Sequence, residues 1–279
     1  MMEQRELIEK RDWTFLLVLD ACRFDYFEKV SPLYLKGDLN KVVSSADCKR
    51  GVATSEWARS TFKGTYKDII YISTTPHINS ITDVNGFKAS DHFYKIEDVW
   101  LKGWDDDKGT VLPDVVSEYI FDAVERYPDK RVIAHYMQPH FPYLSIKNPS
   151  LPKQKNPKAH DNFKRNLRNF IGSRVRRTLG GKRTRKLLRV LGLPPMTPMH
   201  EVLRRDGHDA LCKAYEKNVE EVLGSIKRLN SNMGTGVKNR GKTVITADHG
   251  EYLGENGFYG HSFLPYHDVL NSVPWFIVE

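Results

Sequence analysis

Cysteine is scarce in this 279-residue chain, and the three present, Cys22, Cys48 and Cys212, are widely spaced. No CxxC pair occurs, which argues against a structural zinc site, and an odd, scattered set does not make a disulfide framework. Reduced thiols in a cytosolic compartment are the simplest reading. Long apolar runs are also missing. The longest cover five or six residues, far below the roughly 20 that span a bilayer. The first residues, MMEQRELIEKRDW, are charged and polar and lack the apolar core of a secretory signal. A cytoplasmic protein is expected, with peripheral contact to a membrane surface left open.

Acidic residues are nearly absent from one stretch. From Lys153 to Arg189 the only acid is Asp161, set against fourteen lysines and arginines. The chain carries a formal net charge of +8, so the remainder is close to neutral or slightly acidic. The excess charge is a local feature of this stretch. Prolines mark its ends: Pro149, Pro152 and Pro157 at the opening, Pro194, Pro195 and Pro198 after the close. It reads as a basic insertion over 148–203 within a single domain covering 1–279, acting as a lid or recruitment element. Contact with a polyanion or lipid headgroups through 153–189 is one expectation, and a solvated charged face is the other. Only Phe163 and Phe170 could stack on bases, which argues against nucleic acid.

What the chain does have is a series of short apolar runs. The run from Trp13 to Leu19 ends at Asp20, and similar runs cover Asp68 to Ser73, Arg131 to Met137, Lys242 to Ala247 and Val273 to Val278. Near-continuous apolar segments of this length suit buried strands of a parallel sheet. Helical patterns lie between them. Pro113 opens one that runs to Arg126. From Asp206 to Leu229, Leu211, Tyr215, Val219, Val222 and Ile226 form one apolar stripe. Alternating strands and helices predict a three-layer α/β/α sandwich with a mainly parallel central sheet.

The chemistry concentrates where two of these runs end. Thr246-Ala-Asp248-His249-Gly250-Glu251 follows one strand, and Asp20 follows another. Ligands of parallel α/β sheets bind beyond the carboxyl ends of the strands. An adjacent carboxylate and imidazole there can share one divalent cation, and a parallel sheet brings Asp20 to the same edge. Such a site suits Zn²⁺, Mn²⁺, Mg²⁺ or Ca²⁺. Helix capping or a loop salt bridge is the alternative for each residue.

Three segments together resemble the alkaline phosphatase/sulfatase superfamily. They are Leu17-Val-Leu-Asp20, His135-Tyr-Met-Gln-Pro-His-Phe-Pro-Tyr143, and Ala247-Asp-His-Gly-Glu-Tyr-Leu-Gly-Glu255 with Gly260-His261 and Val273-Pro-Trp. The resemblance implies an alkaline phosphatase-like fold and a nucleophile that is itself a metal ligand, placed between the first strands. Thr54 is the candidate and Ser55 the second; helix capping is the alternative for both. The metal set is then Asp20, Thr54, Asp248 and His249. Sulfatases of this superfamily carry a C/S-x-P-x-R pattern. Neither Cys48, followed by Lys49 and Arg50, nor Ser55, with Trp57 in place of proline, satisfies it. The chain is therefore closer to the phosphoglycerol and phosphoethanolamine transferase branches. Because the middle segment lacks the Asp-x-x-x-His pair of two-metal members, one divalent metal ion is expected. His140 would contact substrate or act as general acid. His261, Ser55, Arg23 and Arg59 are candidate contacts to an anionic, glycan- or lipid-linked ester. His135 is expected to be a packed core residue. The implied activity is metal-dependent hydrolysis or transfer of phosphate esters through a covalent threonine intermediate. A sulfatase acting on a sulfated glycan and a catalytically inactive polyanion-binding module are the alternatives.

Overall fold

The computed structural model describes residues 2–46, 53–146, 198–234, 241–261 and 267–279. Most of the basic insertion, including the whole of 153–189, and Cys48 lie outside the described residues. Only the end of the insertion, from 198, is described.

Seven strands form the central sheet: β1 (Phe15–Leu19), β2 (Gly37–Val43), β3 (Tyr66–Ser73), β4 (Phe93–Asp98), β5 (Arg131–Tyr136), β6 (Thr243–Ala247) and β7 (Ser272–Val278). Their spatial order is β2-β7-β6-β1-β5-β3-β4. β1 lies at the centre and pairs in parallel with β5 on one side and β6 on the other. Every residue of its FLLVL sequence is buried, as a strand covered on both faces requires.

All five apolar runs are strands of this sheet, but β7 runs antiparallel to both of its neighbours. Apolar content signals burial and carries no information on direction, so the mixed sheet was not legible. Two further strands, β2 and β4, lie at the sheet edges. β2 reads GDLNKVV with only Val42 buried, and β4 reads FYKIED with Phe93 and Ile96 buried. Edge strands meet solvent and need no unbroken apolar run.

Among the helices of the described residues are α1 (Gln4–Lys10), α2 (Phe24–Val30), α3 (Thr54–Thr61), α4 (Pro113–Arg126), α5 (Pro198–Asp206), α6 (His208–Asn232) and the short α7 (Asp268–Asn271). α2, α4 and α6 pack together over one face. α1 and α3 cover the other. There Trp57 of α3 donates to Gln4 of α1 at 2.9 Å, and its ring meets His135 edge-on at 5.8 Å. The result is the expected α/β/α sandwich. α6 starts two residues later than its apolar stripe suggested, because Gly207, at φ +88°, interrupts the helix and separates α5 from it. Leu211, Tyr215, Val219, Val222 and Ile226 are all fully buried on α6. Among the described residues, no helix is long and apolar enough to cross a membrane.

Leu17 pairs with Ala134 and Ile245 at the middle of the sheet and has no exposed surface. Leu17→Ala is expected to cost roughly 2–5 kcal/mol through lost burial and the cavity left behind. The shift of the denaturant midpoint measures it.

Candidate active site

Strand register builds the site. Leu19 pairs with Ala247 across the β1–β6 ladder. The next residue on each strand is an aspartate, so Asp20 and Asp248 emerge side by side at the carboxyl edge. Beyond Asp20 the chain turns through Ala21, which sits at φ +58°. That left-handed conformation costs a non-glycine residue about 1–2 kcal/mol. It aims the Ala21 amide at Asp248 Oδ1, 3.0 Å away, and the amide of His249 donates to the same oxygen at 2.9 Å. The other oxygen, Oδ2, accepts the Thr54 hydroxyl at 2.8 Å.

His249 is oriented by its own loop. Its Nδ1 lies 2.9 Å from the Gly250 carbonyl, which can only accept, so Nδ1 carries the proton. The Nε2 lone pair then faces Asp248 Oδ2 at 3.4 Å and Asp20 Oδ1 at 3.9 Å. Gly250 must be glycine for a steric reason: a Cβ there would lie 1.8 Å from the Val269 carbonyl oxygen.

Asp20, Asp248 and His249 each offer a ligand atom within 4.8 Å of the others, and all three are buried. Asp20 Oδ1 and His249 Nε2 are buried without a hydrogen-bond partner. Burial raises the Asp20 carboxyl well above its ordinary range, and the charges of Asp248 and Glu251 add to this. Burial acts in the same direction on Asp248, but His249, His135, the Ala21 amide and Thr54 outweigh it and hold Asp248 below its ordinary value. Orphaned oxygen and nitrogen donors around concentrated negative charge fit a divalent cation.

Thr54 is the first residue of α3. The residue capping that helix is Ala53, which makes no side-chain cap bond. Thr54 therefore spends its hydroxyl on Asp248 rather than on capping. Ser55 is also buried and accepts a hydrogen bond from the Asn85 amide at 2.9 Å. It does not cap α3 either.

A second group adjoins the first. His140, Glu251 and His261 place ligand atoms within 4.8 Å of one another. The two histidines meet Nε2 to Nε2 at 3.2 Å, and the His261 ring lies over that of His249 with centroids 4.3 Å apart. His140 Nδ1 lies 2.6 Å from the Phe141 carbonyl, so its proton sits there and His261 donates to its Nε2. Burial lowers the His140 pKa to about 4, with the Phe141 hydrogen bond opposing and His249 adding to the fall. Glu251 is fully buried with neither carboxylate oxygen paired, and burial lifts its pKa to about 8. Sequence reasoning quoted Glu251 within its motif without giving it a role. Its place two residues beyond His249 was the available signal.

The arginines are placed differently. Arg23 is buried and bound to Asp25 through two bonds of 2.9 and 2.7 Å and to Glu255 at 2.6 Å, so its guanidinium serves an internal ion network. Arg59 pairs with Glu56 one helical turn back along α3. His135 is fully buried, as expected of a core residue, yet it also faces the site. Its Nδ1 lies 2.8 Å from the Tyr71 hydroxyl and its Nε2 lies 3.8 Å from Asp248 Oδ2. A Tyr71 donor at Nδ1 leaves the proton on Nε2, so the neutral ring turns an N–H dipole toward the Asp248 carboxylate.

No protein-family model and no curated protein matches the chain. Solved structures do. The soluble domain of lipooligosaccharide phosphoethanolamine transferase A from Neisseria meningitidis aligns over 94% of this chain and 75% of its own, at 16% identity and a TM-score of 0.53. The lipoteichoic acid synthase LtaP from Listeria monocytogenes aligns over 96% and 65%, at 11% identity and a TM-score of 0.50. A 2-O GAG sulfatase aligns over 96% and 64%, at 12% identity and a TM-score of 0.50. The fold is thus the α/β sandwich seen in these transferase, synthase and sulfatase structures.

The buried acids set a pH dependence. In the folded chain Glu251 titrates at about 8 against an ordinary 4.5, so between those values the folded state holds a proton that the unfolded state releases. Stability falls as pH rises across that window. His140, lowered from 6.5 to about 4, acts in the opposite sense below pH 6.5 only. From pH 6.5 to 8, protein kept in EDTA is expected to lose up to about 1.4 kcal/mol per pH unit from Glu251. Denaturant titrations of Glu251→Gln across that range should show a flatter profile.

Proposed function

We propose that this protein is a metal-dependent hydrolase or transferase of phosphate esters that uses Thr54 as its nucleophile. The observation that carries the reading is the Thr54 hydroxyl on Asp248 Oδ2, inside the group formed with Asp20 and His249. Those four residues would hold the divalent cation. When bound, it would lower the pKa of the threonine hydroxyl and stabilise charge developing on the ester oxygens.

The remaining roles fall to side chains of the chain itself. Asp248 accepts the Thr54 hydroxyl hydrogen and so directs the oxygen lone pairs toward an incoming ester. Attack forms a bond from Thr54 Oγ1 to phosphorus, breaks the bond to the leaving alkoxide and passes the Thr54 hydroxyl proton to Asp248 Oδ2. The His140–Glu251–His261 group adjoins the first through the His261 ring over His249 and would supply the leaving-group proton. His140 is neutral near pH 7, so it serves as the acceptor from His261, while Glu251 carries the exchangeable proton. Water or a second hydroxyl then attacks the phosphoryl-threonine, the same group takes up the attacking proton, and the P–Oγ1 bond breaks as Thr54 regains its proton from Asp248.

Phosphate is favoured over sulfate because neither Cys48 nor Ser55 lies in the C/S-x-P-x-R pattern from which sulfatases make formylglycine, and the resemblance implies a threonine nucleophile at Thr54 instead. The named activities of two structural neighbours, phosphoethanolamine transfer and lipoteichoic acid synthesis, are consistent with a phosphoester substrate. The fourteen basic residues of 153–189 favour an anionic, glycan- or lipid-linked substrate. A cytoplasmic site of action, with peripheral membrane contact, is part of the same proposal.

Assays with nitrophenyl phosphate mono- and diesters and nitrophenyl sulfate, under Mn²⁺, Zn²⁺, Mg²⁺ and Ca²⁺ in turn, test this. Phosphate-ester turnover is expected under at least one metal, with Thr54→Ala losing more than about 10³-fold. Preferential sulfate hydrolysis would favour the sulfatase alternative. Salt-sensitive polyanion binding without turnover under any metal would favour the inactive binding module.

A further inference from the structure

Tyr215 and Asn218 of α6 are buried and carry polar groups that the proposed chemistry does not use. Three residues apart on a helix, they share one face. Each ends in a loop of the active site.

The Tyr215 hydroxyl donates to the Ala21 carbonyl at 2.7 Å and accepts from the Arg23 amide at 2.9 Å. It thereby bridges the two peptides on either side of Cys22 and fixes the left-handed turn at Ala21. That turn follows Asp20 and supplies the Ala21 amide to Asp248 Oδ1. Asn218 holds the loop after β5. Its Oδ1 accepts from the Leu144 amide at 2.8 Å. Its Nδ2 donates to the carbonyls of Pro142 at 2.9 Å, and of Pro139 and His140 at 3.3 Å each. Both side chains are fully buried. The two loops also join directly, since the His140 amide donates to the Asp20 carbonyl at 3.1 Å.

We infer that Tyr215 and Asn218 are positioning residues, through which one helix sets the metal-binding carboxylate and the His140 loop relative to each other. The inference rests on the reading of Asp20, Asp248 and His249 as a metal site. It divides the labour: Tyr215 acts through Ala21 and Asp20 on metal affinity, and Asn218 acts through His140 on turnover.

The test uses Tyr215→Phe, which keeps the ring contacts to Tyr26 and Tyr143 and removes only the hydroxyl. It also uses Asn218→Leu, with Asn218→Ser as the second variant should leucine fail to fold. Mn²⁺ binding is measured by calorimetry, and amide hydrogen exchange and phosphate-ester kcat are measured on the same samples. Tyr215→Phe is expected to weaken Mn²⁺ binding 10–100-fold, the usual range for a partner that orients a ligand. The Asn218 variant is expected to bind Mn²⁺ within about twofold of the parent, to lose about tenfold or more in kcat, and to exchange the His140 and Leu144 amides faster while α4 is unchanged. Unaltered Mn²⁺ affinity in Tyr215→Phe overturns the inference. So do losses in both variants that merely track their fall in Tm, or unchanged His140 and Leu144 exchange in the Asn218 variant. If the parent binds Mn²⁺ but turns over no ester, the function proposed above fails, while the affinity and exchange results still decide the positioning roles.

Discussion

Two aspartates at the ends of adjacent parallel strands, buried within reach of one imidazole, are the constraint around which this molecule is arranged. Negative charge in a low-dielectric setting is costly unless a cation or a proton compensates it. Here the compensation is incomplete by hydrogen bonding alone: Asp248 is bonded at both oxygens, whereas Asp20 Oδ1 and His249 Nε2 have no partner. The Thr54 hydroxyl completes this ring of donors. The neighbouring Glu251, also orphaned, extends the same imbalance toward His140 and His261.

The surrounding fold explains how such a group is tolerated. A strand buried on both faces fixes the register that places Asp20 opposite Asp248, and its hydrophobic neighbours leave no freedom to slip by one residue. Local strain at Ala21 and the close approach at Gly250 are held by specific contacts: the Tyr215 hydroxyl in one case, the Gly250 amide on the Leu270 carbonyl at 2.8 Å in the other. Strained backbone at functional sites persists where the surroundings over-determine it.

Much of this was legible in the sequence, for identifiable reasons. Asp20, Asp248 and His249 follow unbroken apolar runs, so their place at the sheet edge came from the pattern itself. Thr54, His140 and His261 have no such local signal and were found through the resemblance. The edge strands β2 and β4 were missed because solvent-facing strands carry charges. The direction of β7 was missed because apolar content does not encode orientation. Tyr215 was visible only as one member of an apolar stripe, since nothing in a stripe says where a hydroxyl points. Asn218 was invisible for a similar reason: a polar residue on a helix reads as exposed until tertiary contacts bury it. Arg23 looked like an anion contact, but Asp25 and Glu255 occupy its guanidinium.

The account stands on one cation meeting Asp20, Thr54, Asp248 and His249 together. Anomalous diffraction from a crystal soaked in Mn²⁺ addresses that directly. The account requires a peak at coordination distance, about 2.0–2.4 Å, from donor atoms of all four side chains. Manganese bound elsewhere, with the aspartates and His249 left uncoordinated at full soak, would contradict it.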